Sequence, residues 1–380
     1  FNEINVHTGG IGTSLELYPD VTKAKEKDFR ATFEIKGKAL YPQMKILFAM
    51  MREILMESRL DDEKRSKEIL AMLKSRLQMS FQSSGHTTSA LRALSYGSPL
   101  SKFKDDTDGI GFYEVVRDIE EHFEEKKAEL IQNLKQLSRQ IFRVDNVMIS
   151  YTSSEDGLTP IEAAFREIKD TLYPELDGEE IPCVLHGRKR NEGFKTSSKV
   201  QYVARVGNFI DHGAQYHGAL QILKVILSYD YLWQNVRVKG GAYGCMSNFN
   251  RIGEGYLISY RDPNLKKTME VYEGVVDYLK NFTVDERDMT KYIIGTISNI
   301  DRPMNPAAKG DRSMNLYMNH VSQEMIRTER SQILHAAQED IRALAAVVEA
   351  MLKAEQICVI GSEEKIEEEK EMFLEVKTLF

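Results

Sequence analysis

Arg237 and Tyr243 lie six residues apart in the run Trp233–Gly244, with Lys239, Gly240 and Gly241 between them. A guanidinium and a phenol hydroxyl are hydrogen-bond donors suited to an oxygen that carries negative charge. The glycines permit a sharp turn or a close backbone approach. By residue type alone the run also reads as a glycine-rich turn from helix to strand, with the Tyr packed and the Arg at the surface. Both readings stand at this point. Other chemistry is harder to find. The histidines are His7, His86, His122, His186, His212, His217, His320 and His335. No two are four apart, so neither arrangement of the helical zinc motif, H-E-x-x-H or H-x-x-E-H, is present. His212 and His217 are five apart and fall on different faces of any helix. His122 is followed by Glu124 and Glu125 but has no second His nearby. Cys183, Cys245 and Cys358 are scattered and lack CxxC spacing, which excludes a disulfide scaffold and a cysteine-rich zinc site and reads as small buried apolar residues. Gly9, Gly10 and Gly12 read as a turn, because no Walker lysine follows them, and no G-x-S-x-G motif occurs.

The elements that must position these residues follow from periodicity. Residues 12–18 and 29–40 alternate as strands, and Pro42 opens a helix carrying Met44, Leu47, Phe48, Met51 and Leu55. Asp61 and Asp62 are set to cap a second helix with Ile69, Leu70, Leu73 and Leu77 on one face. Residues 83–108 read as a soft stretch, 112–142 as one long charged helix, 147–151 as a strand and 161–172 as a helix. Residues 173–198 hold Pro174, Gly178, Pro182, Gly187 and Gly193 and read as a linker. A strand at 199–206 and an apolar helix at 216–233 then lead into the Arg237–Tyr243 run. Strands at 245–249 and 255–260, helices over 265–282, 285–300 and 307–354, a strand at 356–360 and a closing acidic helix complete the chain. The grammar repeats weakly at about 190 residues, a period far above those of solenoids. It predicts an α+β fold of two related domains, 1–172 and 199–380, each a sheet with helices on one face.

Composition agrees. The chain has 380 residues, 42% hydrophobic and 29% charged, with a formal charge of −7. That is enough for two cores, too acidic to favour nucleic acid, and without an apolar run that spans a membrane. The expected partners therefore include no nucleic acid and no membrane. The first residue is Phe1, and residues 1–12 do not have the build of a signal peptide, so cytoplasm or an organelle matrix is the expected compartment.

The run Arg237, Lys239, Gly240, Gly241, Ala242, Tyr243, Gly244 resembles the hallmark of the C-terminal half of presequence proteases, which with falcilysin form a branch of the pitrilysin/insulinase metallopeptidases. Residues 259–265 (Ser259, Tyr260, Arg261, Asp262, Pro263, Asn264, Leu265) and Thr8, Gly9, Gly10, Ile11 are similar to the same branch, so the similarity runs over nearly the whole chain. The resemblance implies an α+β fold of homologous domains, each a mostly antiparallel sheet with helices packed on one face. Of four such domains, this chain would hold the third (1–172) and the fourth (199–380), joined by the linker 173–198. It also implies that zinc belongs to the full-length enzyme and is bound by the N-terminal half, with none in this chain, in accord with the missing motif and the missing initiator Met. Arg237 and Tyr243 match the residues that reach across the peptide chamber in the family, and so carry the catalytic expectation. Lys239, Gly240 and Gly241 are expected to line the substrate path. Ser84, Gly85 and His86 also look family-like, and a structural or hinge role is the expectation for them. Arg261 and Asp262 are expected to pair with each other or to anchor a loop, and Trp233 and Phe249 to be core.

The expected function is thus that of the C-terminal half of a zinc oligopeptidase degrading unstructured peptides, partnered by the N-terminal half of the same peptidase and inactive alone. The alternative is a non-catalytic partner or structural subunit of the same fold, which has no need of retained oxyanion donors. A lone-chain enzyme is a third possibility, but no nucleophile–base pair is readable.

Overall fold

The computed structural model describes residues 2–175, 185 and 187–380. After α1 (Asn2–His7), the alternating segments pair as an antiparallel ribbon of β1 (Ile11–Pro19) and β2 (Phe29–Gly37). Pro42 sits in a 3-10 turn that opens α2 (Met44–Met56), where its missing N–H is not needed. Asp62 caps α3 (Glu63–Leu94), its side chain accepting from the Arg65 amide at 2.9 Å. Then follow α4 (Pro99–Asp108), α5 (Ile110–Glu121), α6 (Phe123–Ile141) and α7 (Leu158–Lys169). Met44, Leu47 and Met51 of α2 pack with Ile161 and Ile168 of α7 against the ribbon residues Ile11 and Ile35.

The larger sheet begins with β3 (Glu192–Thr196) and β4 (Tyr202–Asn208), followed by α8 (Ala219–Tyr229). β5 (Gly244–Phe249) and β6 (Glu254–Tyr260) come next. Six helices follow: α9 (Lys266–Glu273), α10 (Val275–Lys280), α11 (Glu286–Ile300), α12 (Pro306–Met318), α13 (Gln323–Leu334) and α14 (Gln338–Leu352). β7 (Gln356–Ser362), α15 (Glu363–Glu368) and β8 (Glu375–Thr378) close the chain. The strand order is β5-β6-β4-β7-β3-β8. The first four pair antiparallel, and β3 lies parallel to both β7 and β8.

Successive strand residues point to opposite faces, and here both faces are covered. Val203, Leu257 and Val359 pack under Leu223 and Leu227 of α8, Tyr272 of α9 and Val348 of α14. Their neighbours Tyr202, Ala204, Ile258, Cys358 and Ile360 face Leu77, Phe81, Ala90 and Ala93 of α3 and Tyr113 of α5. So helices of the later segment cover one face, and α3 and α5 cover the other. A buried ion network fastens them. Arg92 of α3 donates through Nε to Glu192 Oε2 and through Nη1 to Asp105 Oδ2, both at 2.6 Å, and Lys377 of β8 donates to Glu192 Oε1 at 2.8 Å. Burial opposes charge on Glu192, but the bonds from Arg92 and Lys377 outweigh it and hold the carboxyl down at about 2. Asp105, also deeply buried, is pushed upward by desolvation. Cys245 and Cys358 are buried, and burial raises both thiols, Cys245 to about 11.

Several expectations are corrected. The soft stretch 83–108 is helical, because α3 continues to Leu94 across a kink at Ser84 (φ −127°, ψ 29°) and α4 follows. Its small residues Ser89, Ala90 and Ala93 are buried and let the helix approach the sheet, so tertiary packing overrides composition. The long helix 112–142 breaks at His122 (φ −112°, ψ 34°). Residues 147–151 form no strand, and Met148 and Tyr151 are about half exposed there. Within the expected linker 173–198, residues 192–196 are β3, an inner strand. Residues 176–184 and 186 of that linker, Cys183 and His186 among them, lie outside the described residues, as does Phe1. Among the described residues, no helix is long and apolar enough to cross a membrane.

Candidate functional site

The apolar helix α8 stops at Tyr229, and the chain reforms as a π-turn over Trp233–Val238, with the Lys239 amide bonded to the Gln234 carbonyl at 3.0 Å. Two glycines then reverse it. A Cβ on Gly240 would stand 2.4 Å from the Val236 oxygen, and Gly241 adopts φ +85°. A side chain is excluded at the first by backbone and strained at the second by conformation. The Gly241 amide donates to the Arg237 carbonyl (2.9 Å) and the Ala242 amide to the Val236 carbonyl (3.1 Å). The reversed chain enters β5 at the sheet edge.

This turn brings Arg237 and Tyr243 together. The Arg237 guanidinium lies 4.2 Å from the Trp233 ring centre and 5.5 Å from that of Tyr243, and Nη1 donates to the Tyr243 carbonyl at 2.6 Å. Among the described residues that is its one hydrogen bond, so most of its five N–H donors remain available. The Tyr243 side chain is exposed, at 65%. Its amide is held by the Tyr260 carbonyl (3.0 Å) and the Arg261 carbonyl (3.3 Å), and its ring meets Tyr260 edge-on at 5.8 Å. The site therefore presents a clamped cation beside an outward-facing phenol on a backbone fixed by hydrogen bonds. Such a pair can donate to an anionic oxygen. Trp233, expected to be core, is instead partly exposed and forms the surface under Arg237. Its spacing of four from Arg237 on a helical segment was the available signal. Phe249 is core, as expected.

Lys239, Gly240 and Gly241 occupy the turn between the pair. The Lys239 ammonium reaches Asn235 Oδ1 at 3.3 Å, and the Gly240 carbonyl accepts from Asn264 Nδ2 at 2.6 Å. Asp262 is buried. Its carboxylate accepts from the Asn264 amide (2.9 Å) and the Thr268 hydroxyl (2.7 Å), and its backbone pairs with Gln201 in both directions. Desolvation raises its carboxyl pKa. Asp262 and Asn264 thus tie the 261–265 loop to the glycine turn. Arg261 does not pair with Asp262. It takes φ +48° and lies over the Tyr260 ring at 5.5 Å. His86, on α3, meets the same Tyr260 ring at 4.8 Å, and burial lowers its pKa.

The described residues do not fit a zinc ion: no three His, Cys, Asp or Glu side chains among them are grouped to hold a metal. His86 faces tyrosines, His320 pairs with Asp20 at 2.7 Å and His122 with Asp118 at 3.2 Å. A cavity of about 240 Å³ lies elsewhere, between the end of α3, the end of β4 and the α14–β7 turn, and is lined by Gly97, Asn208, His212, Lys353 and Gln356 among others. Neither Arg237 nor Tyr243 borders it.

Comparison with known proteins gives two family models. The PreP C-terminal domain matches residues 191–363, and a domain associated with subfamily C of the M16 peptidases matches residues 1–119. Protein HypA of Clostridium perfringens is 38% identical over 379 residues, covering 100% of this chain and 38% of that protein. Presequence protease 1, chloroplastic/mitochondrial, of Arabidopsis thaliana is 28% identical over 97% of this chain and 34% of its own length. The chain therefore spans little more than a third of these relatives. A protease from Helicobacter pylori shares the fold, with a TM-score of 0.58 at 13% identity over 94% of this chain and 83% of that one.

Proposed function

The chain belongs to the presequence-protease branch of the pitrilysin-type peptidases, matching their C-terminal half, and from that membership we propose that it forms half of a chamber for unstructured peptides. In this reading Arg237 and Tyr243 donate to the peptide carbonyl oxygen as it gains negative charge. Lys239, Gly240 and Gly241 line the path of the peptide. Residues 1–172 and 199–380, the latter with β3 of Glu192–Thr196 in its sheet, serve as the third and fourth domains of the whole enzyme. The observation that carries the reading is the pairing of a guanidinium, clamped between Trp233 and the Tyr243 ring and carbonyl, with an exposed phenol.

Zinc is assigned to the N-terminal half, where it supplies Lewis-acid chemistry when bound. This chain's part is different. Its donors are fixed before substrate arrives, so they favour the charged tetrahedral oxygen over the neutral carbonyl without reorganising. Loss of one such donor lowers kcat by about 10²–10³-fold.

The test is hydrolysis of a quenched, unstructured peptide by this chain alone, and by this chain mixed with the N-terminal half and zinc. Activity is expected only in the mixture, and Arg237→Ala or Tyr243→Phe is expected to cut kcat there by about 10²-fold or more. Cleavage by the chain alone, or full activity of both variants, would overturn the reading.

A further inference from the structure

We infer that His86 is a positioning residue for Tyr243, acting through the ring of Tyr260. The inference rests on the reading of Tyr243 as a donor. It begins at the kink in α3. Ser84 leaves the helical region, and the next residue, Gly85, rides directly on the Tyr202 ring, where a Cβ would stand 2.2 Å from Cδ2. The Tyr202 hydroxyl donates to the Gln82 carbonyl at 2.5 Å. The kink is therefore locked onto β4 from both sides by one tyrosine: its ring admits only glycine above it, and its hydroxyl bonds a carbonyl beside the break.

The lock has a directional result. Tyr202 and Tyr260 lie side by side on the α3 face of neighbouring strands, their rings 5.7 Å apart. With the helix fixed there, the His86 ring meets Tyr260 edge-on, at 4.8 Å and 71°. Tyr260 in turn meets Tyr243 at 5.8 Å and 70°, and the Tyr260 carbonyl holds the Tyr243 amide. Edge-to-face contacts fix ring orientation as well as distance. An unbroken series of rings thus runs from α3 to the exposed phenol. His86 Nδ1 is buried without a hydrogen-bond partner among the described residues. The imidazole is therefore held for its shape against Tyr260 and not by a polar bond of that nitrogen.

In the assembled enzyme, His86→Ala is expected to lower kcat about 3–10-fold, the range set by loss of one aromatic contact, with KM unchanged. His86→Phe keeps the edge and is expected to restore kcat. On a Tyr243→Phe background, His86→Ala is expected to add nothing. A readout independent of activity uses the 380-residue chain alone, with a 3-fluoro label on Tyr243. His86→Ala is expected to shift or broaden its fluorine resonance, and His86→Phe to leave it in place. If Tyr243→Phe lowers kcat but the loss from His86→Ala is absent or multiplies with it, the positioning role is wrong and the donor role stands. A fluorine signal unmoved by His86→Ala also overturns the positioning role. If Tyr243→Phe leaves kcat unchanged, the donor reading falls and the role of His86 falls with it.

Discussion

Gly240 and Gly241 are required for different reasons, and the difference is measurable. A methyl on Gly241 has room, with Pro263 Cγ 3.4 Å away, but φ +85° is strained for any L side chain. Gly241→Ala is therefore expected to cost roughly 1–2 kcal/mol in urea unfolding. Gly240→Ala drives a methyl to 2.4 Å from the Val236 oxygen and is expected to cost more, because backbone must move. Equal stability of both variants with the parent chain would contradict this account of the turn. The spacing of Arg237, the glycines and Tyr243 was legible in the sequence, since donor type and turn chemistry are local properties. The π-turn that rotates Arg237 onto Trp233 was not, because a π-turn leaves no residue pattern distinct from that of an α-helix. His86 was visible only as an unexplained residue. Its partner Tyr260 is 174 positions away in the chain, and no spacing rule joins them.

The kinked helix α3 links the two parts of the sequence. Arg92 carries two carboxylates, Asp105 from α4 and Glu192 from β3, with side-chain exposures of 0% for both acids. Removing the cation takes the charged partner from buried Asp105 and leaves Glu192 to Lys377 and the more distant Arg190. Arg92→Met is expected to lower stability at pH 7 by about 3–5 kcal/mol. The pH dependence follows from Glu192. Its pKa is depressed in the folded chain, so its contribution is complete above the ordinary carboxylate range and is lost as pH falls from there through about 2. Denaturant titrations at pH 7 and pH 3 should thus show the gap between Arg92→Met and the parent chain narrowing at pH 3, where the orphaned carboxyl protonates. A gap independent of pH would rule out this origin. The strands β1, β2, β4, β5, β6 and β7 were legible from alternation or apolar runs. β3 and β8 were not. They carry Glu192, Lys195, Glu375 and Lys377, and they pair with strands far away in the chain, so charge masked their type and distance masked their partners.

Residues 199–380 look self-sufficient in sequence, yet the six-stranded sheet they largely build does not cover itself. Tyr202, Ala204, Val206, Ile258, Cys358 and Ile360 are buried, at 0–4% exposed, and the elements over them are α3 and α5. A fragment of residues 187–380 would present that apolar face to water. It is expected to aggregate in light scattering and to bind a hydrophobic dye where the 380-residue chain does not. A monomeric fragment that unfolds cooperatively would show that α3 and α5 are dispensable.

The place of β7 in the sheet also sets an order in time. β7 lies between β4 and β3, yet it is synthesised about 165 residues after β3, an interval of roughly 10–30 s at ordinary ribosomal rates. Until then β3 has no neighbour, because its other partner, β8, emerges later still. The β4, β5 and β6 strands pair with one another without β7, which later adds to the open edge of β4. The hairpin bearing Tyr243 can therefore form while much of the chain is still being made, whereas the Lys377 arm of the salt-linked clasp on Glu192 must wait for β8. A nascent chain stalled before β7 would carry the Arg237–Tyr243 turn on a half-built sheet, with its α3 face open to whichever chaperone reaches it first.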